Sequence, residues 1–306
     1  MKLLIVNFHY YSDQQFQSGI YPVTPAFFAK QIDILSQHYS FISQVQLAQY
    51  IENKEYPDGN YCLLTFDDGL KQQMDAFRYL VQQNIPAVFY VPVKPLIEKK
   101  VLEVHKLHLV RAKIDDKKLL DMLTSNTNYQ YDVEDATKAK EQYKYDDDLA
   151  REVKYQLNFK LNPSDKELFI SNAFQEIYPD EAAFSDTFYM SEQDIIEIAT
   201  WDMLGSHGYA HIPLAQAENP YDDIHQSIHY LSELTGQAIK SFSYPYGSKA
   251  AVNEAVAAHL ENSSIRFALT MWRGTNDFTQ AINPFLLQRV DTNDAPGGKN
   301  YSNISL

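Results

Sequence analysis

One stretch constrains what this chain can fold into more than any other: Leu63-Leu64-Thr65-Phe66-Asp67-Asp68-Gly69. A short apolar run reads as a buried strand, and Gly69 permits the sharp turn that follows it. The strand ends on two adjacent carboxylates, which repel each other and resist burial unless something positive neutralises them. A divalent metal meets that need, with one aspartate as ligand and the other left as a general base. The plainer alternative is that two acids simply begin a loop.

Composition narrows the field. The 306 residues supply a sizeable core, and a hydrophobic share of 45% is that of a globular protein. A net charge of -14 argues against non-specific nucleic-acid binding or electrostatic attachment to anionic lipid. The lone cysteine, Cys62, precludes an intrachain disulfide and sits within the apolar run as a small buried hydrophobe. The first residues, Met1 to His9, have too few apolar positions and no small-residue cleavage site, so they read as a first strand, and a cytoplasmic protein is expected. No apolar stretch approaches transmembrane length.

Taken in order, the chain alternates strand and helix. A strand over Leu3 to Phe8 ends at His9; Thr24-Pro25 opens a helix whose face carries Phe28, Ile32 and Leu35. A short helix with Val45, Ala48 and Ile51 precedes the turn Pro57-Asp58-Gly59-Asn60 and the strand to Phe66. Met74, Phe77, Leu80 and Val81 then have helical spacing, and Ala87 to Val91 is another strand, which makes a parallel βαβ unit. From about residue 95 to 190 the text turns charged and tyrosine-rich with helical patterns, a mostly helical insertion expected to cover one face of a single domain spanning 1–306. Alternation returns with the capping pair Ser191 and Asp194, a strand at Met203 to Ser206, a helix from Asp222 to Leu234, a strand at Ser241 to Tyr244, a helix around Ala250 to Leu260, and strands at Phe267 to Met271 and Leu286 to Val290. Chemically unusual residues stand at several strand ends, where a parallel barrel places its active site.

Two further stretches carry chemistry. Ser206-His207-Gly208-Tyr209-Ala210-His211 puts two histidines four apart at a strand end, and with Asp68 they compose a two-histidine, one-carboxylate site with open positions. The alternative is two unrelated loop histidines in a chain with nine. His225 and His229 share that spacing but lie on a polar helix with Asp222, Asp223 and Glu233, and are read as solvated. His105 and His108 read as packing within the insertion, and His38 and His259 as ordinary helix-end histidines. Phe242-Ser243-Tyr244-Pro245-Tyr246-Gly247 runs from a strand into a proline turn whose backbone N–H groups can meet an oxyanion and whose Tyr244 and Tyr246 can wall a pocket.

In that order, Thr65-Phe66-Asp67-Asp68-Gly69, His207-x-x-x-His211 and Tyr244-Pro245-Tyr246-Gly247 resemble the successive motifs of the polysaccharide deacetylases, the NodB-homology group or carbohydrate esterase family 4. The resemblance covers about residues 1–94 and 191–306. It implies a distorted (β/α)7 TIM-like barrel, an α/β fold interrupted by the helical insertion. It also implies Asp67 as general base, Asp68, His207 and His211 as ligands of one divalent ion, zinc by default with cobalt, nickel or iron suited to the same ligands, and the Tyr246 N–H as an oxyanion donor, with Tyr244 and Pro245 beside it. Ser243 and Tyr244 stand where many members carry an arginine that supports the base, so Arg289 is the candidate for that role. The late leucine-x-histidine of many members is missing after Gly247. Members resembling the poly-N-acetylglucosamine deacetylases use a permuted order with the acid histidine on an N-terminal strand, and Phe8-His9-Tyr10 makes His9 the candidate general acid.

The activity so implied is metal-dependent removal of an N-acetyl group from an amino sugar, releasing acetate, in cell-surface glycan assembly. An oligosaccharide, a nucleotide sugar or a lipid-linked sugar is the expected partner, with no nucleic acid. Hydrolysis of a non-sugar amide or formyl group on the same site is the alternative, and a catalytically silent carbohydrate-binding domain a further one.

Overall fold

A computed structural model describes residues 1–16, 18–126, 131–143, 147–261 and 263–301. Its nine strands are β1 (Lys2–Phe8), β2 (Ser40–Phe41), β3 (Asn60–Phe66), β4 (Ala87–Val91), β5 (Leu204–Ser206), β6 (Ser241–Ser243), β7 (Phe267–Leu269), β8 (Asn276–Asp277) and β9 (Val290–Asp291). They pair in the order β7-β6-β5-β4-β3-β1-β8, with β2 on β3 and β9 on β1. All pairings from β1 through β7 in this path are parallel, and only β8 runs antiparallel to β1.

The sheet curls toward closure through one short segment. Leu287 bridges Leu269 of β7 in parallel, and three residues on β9 pairs Val290 with Val6 of β1. Seven parallel positions therefore run round a barrel whose seam is one bridge plus a two-residue strand, the distortion the family resemblance implies. The expected final strand Leu286 to Val290 is shorter than read because Pro284–Leu286 winds into a 3-10 turn, with Asn283 accepting a bond from the Phe285 N–H. The expected helix Ala250 to Leu260 likewise shrinks to Glu254–Ala258, since Asn253 caps it late.

Period-two alternation sorts the strand residues into an outer and an inner layer. Leu4, Val6, Phe8, Cys62, Leu64, Phe66, Phe89 and Phe242 pack outward against the helices. Phe8, Phe66 and Phe89 stack in a row with centroids 5.0 and 4.6 Å apart, and Phe28 of the first helix meets Phe8 edge-on at 5.1 Å. Leu3, Ile5, Leu63, Val88, Tyr90, Phe267, Leu269 and Leu287 form the inner layer. Gly205 on β5 leaves room for the Tyr90 ring, which a Cβ at that position would strike.

The helices begin and end where their caps dictate. Helix Pro25–Ser36 starts at Thr24, whose hydroxyl accepts from Phe27 N, with Pro25 in its first turn. Gln44–Asn53 opens on a Ser43/Gln46 capping box, and Glu192–Ala199 on the Ser191/Asp194 box anticipated above. Gly236 closes Pro220–Thr235 in the left-handed conformation.

The chain divides into two compact units. The barrel unit comprises Met1–Asp13, Pro22–Lys100 and the chain from Ser185 onward; the other comprises Gln14–Tyr21 and Val101–Phe184. The second unit is helical, with Glu103–Lys113, Asp116–Asn126, Val133–Gln142, Asp148–Tyr155 and Pro163–Ile177 packed round Leu109, Leu119, Leu123, Val153, Leu157, Ile170 and Phe174. His105 is buried within it. Among the described residues no helix is long and apolar enough to cross a membrane.

Candidate metal centre

Carried one step further, the inner layer of the barrel becomes polar. Continuing the inward sequence Leu3, Ile5 on β1 gives Asn7; Leu63, Thr65 on β3 gives Asp67; Ser241 on β6 gives Ser243; Leu287 gives Arg289. All of these side chains are buried, and they bond to one another. Arg289 donates from Nη1 to Asp67 Oδ1 at 3.0 Å and from Nη2 to Asp67 Oδ2 at 2.8 Å, a bidentate pair. Its remaining donors reach the Thr270 carbonyl (2.9 Å), Asn7 Oδ1 (3.1 Å) and Ser243 Oγ (2.9 Å). Asn7 Nδ2 and Ser243 Oγ also donate to Asp67 Oδ2, each at 3.1 Å. Burial alone would raise the Asp67 carboxyl, but the Arg289 guanidinium, with His207 and His9 adding to it, holds it down to about 2.

Asp68 continues past the strand and would point outward by parity. Its φ of 81° breaks the alternation and turns it toward the strand-end loops. Gly69 follows with a φ of 61°, where a Cβ would press on Val91 at 3.1 Å. Gln73, at the start of the next helix, donates to both the Asp67 carbonyl (2.6 Å) and the His9 carbonyl (2.8 Å), tying together the ends of β1 and β3.

His207 follows β5 directly. Its N–H donates to Val91 O at 3.0 Å, and its Nδ1 lies 2.7 Å from the Ser243 carbonyl. A carbonyl only accepts, so Nδ1 carries the proton in the neutral ring and the Nε2 lone pair is free to ligate. Burial lowers the His207 pKa, but Asp67 and Asp68 outweigh burial and raise it, which marks a place that favours positive charge. The loop to His211 is pinned by Asp223, whose two carboxylate oxygens accept from Tyr209 N (2.9 Å) and Ala210 N (2.8 Å). His211 has a φ of 56° and stacks edge-on with His207 at 4.9 Å.

These turns bring three donor atoms together. Asp68 Oδ1 lies 3.4 Å from His207 Nε2 and 3.3 Å from His211 Nε2. Among the described residues, Asp68, His207 and His211 are a buried group whose donor atoms all fall within 4.8 Å of one another. A tetrahedral ion with bonds of about 2.0–2.1 Å spaces its donors by about 3.3–3.4 Å. Two imidazoles and one carboxylate are also a donor set suited to a divalent transition metal, so the residues present fit the group. Asp67 Oδ2 stands 4.0 Å from His207 Nε2, beside this set rather than in it.

The other candidates separate cleanly. His9 follows β1 at the same barrel end, half-buried, and its charge acts on Asp67. Tyr246 is 46% exposed with a φ of 61°, and its ring meets His211 edge-on at 5.0 Å. Tyr244 does not line an opening as expected. It shares the outward parity of Phe242, is wholly buried, and donates its hydroxyl to Phe285 O at 2.9 Å, so it is a core residue that anchors the turn. Pro245 is buried. His225 stacks on Tyr221 and exposed His229 lies 3.5 Å from Glu233, as their polar helix suggests. Sequence reading missed Asn7, Gln73 and Asp223. Asn7 had a usable signal in its parity with Leu3 and Ile5, whereas Asp223 was taken as part of a solvated helix face.

Comparison with known proteins agrees with this geometry. A family model described as polysaccharide deacetylase matches residues 192–267. No curated protein sequence matches the chain. Among solved structures, the chain is similar to a polysaccharide deacetylase from Bacillus cereus (TM-score 0.56, 17% identity), covering 95% of this chain and 65% of that one. It is similar to the Streptococcus pyogenes deacetylase PplD in complex with acetate (TM-score 0.59, 14% identity, 95% and 92% covered). It is similar also to IcaB from Ammonifex degensii (TM-score 0.56, 16% identity, 94% and 91% covered). At these identities the structures speak for the fold, and the chain spans about two thirds of the Bacillus cereus protein. The family model covers the segment that carries His207 and His211, and the fold of these deacetylases is shared along nearly the whole length of the chain.

Proposed function

We propose that this protein is a metal-dependent hydrolase that removes the N-acetyl group from an amino sugar and releases acetate. The observation that carries the reading is the split between the two adjacent aspartates. Asp68 faces His207 and His211 as a third donor, while Asp67 is held ionised by Arg289 next to that set. Binding alone does not require a buried base beside a metal site, and acetate in the Streptococcus pyogenes deacetylase is the product such a site would release.

Asp68, His207 and His211 would hold the ion, with zinc the first choice for two imidazoles and a carboxylate. When bound, it supplies Lewis acidity toward the acetyl carbonyl and acidifies water. Asp67 takes the proton of the water that attacks the acetyl carbon. The Tyr246 N–H donates to the oxyanion that forms, a contact typically worth about 3–4 kcal/mol. His9 gives a proton to the nitrogen as the C–N bond breaks, so the products are acetate and a free amine. Arg289, Asn7 and Ser243 hold Asp67 in one orientation throughout.

The test is acetate release from N-acetylated amino sugars by the full chain, stripped with a chelator and reloaded with zinc, cobalt, nickel or iron. Turnover should return with metal, and Asp67→Asn should abolish it while metal content stays at one ion per chain. Absence of acetate with every ion, or full turnover by Asp67→Asn, would sink the proposal.

A further inference from the structure

Glutamine is ordinarily a surface residue, yet Gln73 is wholly buried at the first position of helix Gln73–Gln82. The helix holds it there firmly. Met74, Ala76, Phe77 and Leu80 are buried with it, and the turn before them is bonded to a neighbouring segment: Lys71 N donates to Phe188 O and Met190 N to Gly69 O, each at 2.9 Å. From this mount both donors of the Gln73 amide are committed, at 2.8 Å to the His9 carbonyl and at 2.6 Å to the Asp67 carbonyl. Turning the amide over would set its oxygen against those two carbonyl oxygens, so the bonds themselves fix its orientation. Gln73 Oε1 has no hydrogen-bond partner among the described residues. An acceptor left unpaired in the interior costs stability, so this side chain is placed for its two donors.

One of those bonds falls on a particular peptide. The Asp67 carbonyl belongs to the plane that leads into Asp68, whose φ of 81° lies in a region that L side chains avoid. Strand parity carries Asp67 inward, whereas the turned peptide brings Asp68 Oδ1 to 3.4 Å from His207 Nε2 and 3.3 Å from His211 Nε2. Gly69, also at positive φ, adopts that conformation freely because it has no Cβ. Asp68 does not, and a strained residue persists only where its surroundings over-determine it. Gln73 grips the peptide that enters the strained position.

We propose that Gln73 is a positioning residue for the metal centre. By holding the Asp67–Asp68 peptide it fixes the turn that separates the inward base from the ligand, and through the His9 carbonyl it ties the end of β1 to the same point. What the ion then does rests on the deacetylase reading above, but the test reads metal binding in the absence of substrate. The plainer role, satisfying two strand-end carbonyls, predicts a loss of stability that does not depend on Asp68.

Zinc affinity of the full chain is measured by competition with a chromophoric chelator for the parent, Gln73→Met and Gln73→Asn, each alone and combined with Asp68→Ala. Methionine keeps the length and removes both donors. Asparagine, one methylene shorter, cannot span both carbonyls and serves if the methionine variant folds poorly. Affinity should fall about 10–100-fold with Asp68 present, and by less than about threefold in the Asp68→Ala background, where the two histidines alone hold the ion. The visible spectrum of cobalt-loaded Gln73→Met protein should shift toward that of Asp68→Ala protein. Unchanged zinc affinity in a folded variant, or an equal fall with and without Asp68, would overturn the assignment. A parent that binds zinc but releases no acetate counts against the deacetylase reading and leaves the role of Gln73 standing, whereas a parent that binds no divalent ion overturns both.

Discussion

Arg289 and Asp67 meet through two parallel hydrogen bonds of 3.0 and 2.8 Å inside the barrel, although 222 residues separate them in the chain. Neither side chain reaches solvent: Arg289 is 1% and Asp67 2% exposed. A buried pair of this kind is costly to break from one side, because the survivor stays charged without its partner. Arg289→Met should therefore destabilise the fold by about 3–5 kcal/mol, read from urea unfolding. Combining it with Asp67→Asn, which removes the orphaned charge, should restore much of that loss. Equal destabilisation in single and double variants would show that the guanidinium acts through packing, not through Asp67.

The same pair fixes the response to acid. Asp67 has a folded-state pKa depressed to about 2, so it stays ionised above that value and its contribution to stability is present above the unfolded value near 4. As pH falls from about 4 toward 2 that contribution disappears, and it should amount to about 2 kcal/mol. The acid limb of kcat/KM should consequently lie well above the titration of the base and follow loss of metal as His207 and His211 take up protons. Metal content and kcat/KM measured together against pH would check this. A fall in activity below pH 6 with metal fully retained would mean that Asp67 titrates far higher than its partners indicate.

Where local pattern sets orientation, the site was legible in the sequence. Leu63, Thr65 and Asp67 share one face by strand parity, so an acid at the end of that series faces the barrel interior, and Leu287 with Arg289 repeats the rule next to β1. The two histidines were legible by spacing. Tyr244 was misjudged as a pocket wall because it stands beside Pro245 and Tyr246 in the motif. Its N–H bonds to Leu269 O at 3.1 Å, and the ring follows Phe242 outward into the core. Asp223 was not legible, since an acid in the first turn of a polar helix looks the same whether it caps solvent or a distant loop. The seam was read as one strand, Leu286 to Val290, but it is a single bridge at Leu287 and a two-residue strand from Val290, too short a pairing for a period to fix its bounds.

His9 is the candidate acid on position alone. It directly follows β1, and its backbone carbonyl is held by Gln73 at 2.8 Å. If it protonates the departing amine, His9→Ala should lower kcat by about 10²–10⁴ with metal content unchanged. An activated substrate with a better leaving group, such as an acetyl ester of the same sugar, should lose much less, because it needs no proton to depart. Equal losses on amide and ester would assign His9 to positioning instead.

The loop that carries both histidines depends on one carboxylate outside the ligand set. Asp223 spans the Tyr209 and Ala210 N–H groups, and Gly208 beside them has a φ of 75° with a built Cβ only 2.5 Å from Asp223 Oδ1. Burial raises the Asp223 pKa, partly countered by those two N–H bonds, so the carboxylate stays in place only while the loop keeps its shape. Asp223→Ala leaves both N–H groups without their acceptor and frees the spacing between His207 and His211. Outer residues that orient metal ligands typically contribute about 10–100-fold in affinity, and a loss of that size is expected for zinc measured by competition with a chromophoric chelator. The zinc-dependent rise in melting temperature should shrink in step, as binding linkage requires, while the metal-free melting temperature moves little. Unchanged zinc affinity in a folded Asp223→Ala protein would show that the histidine loop holds its geometry without Asp223.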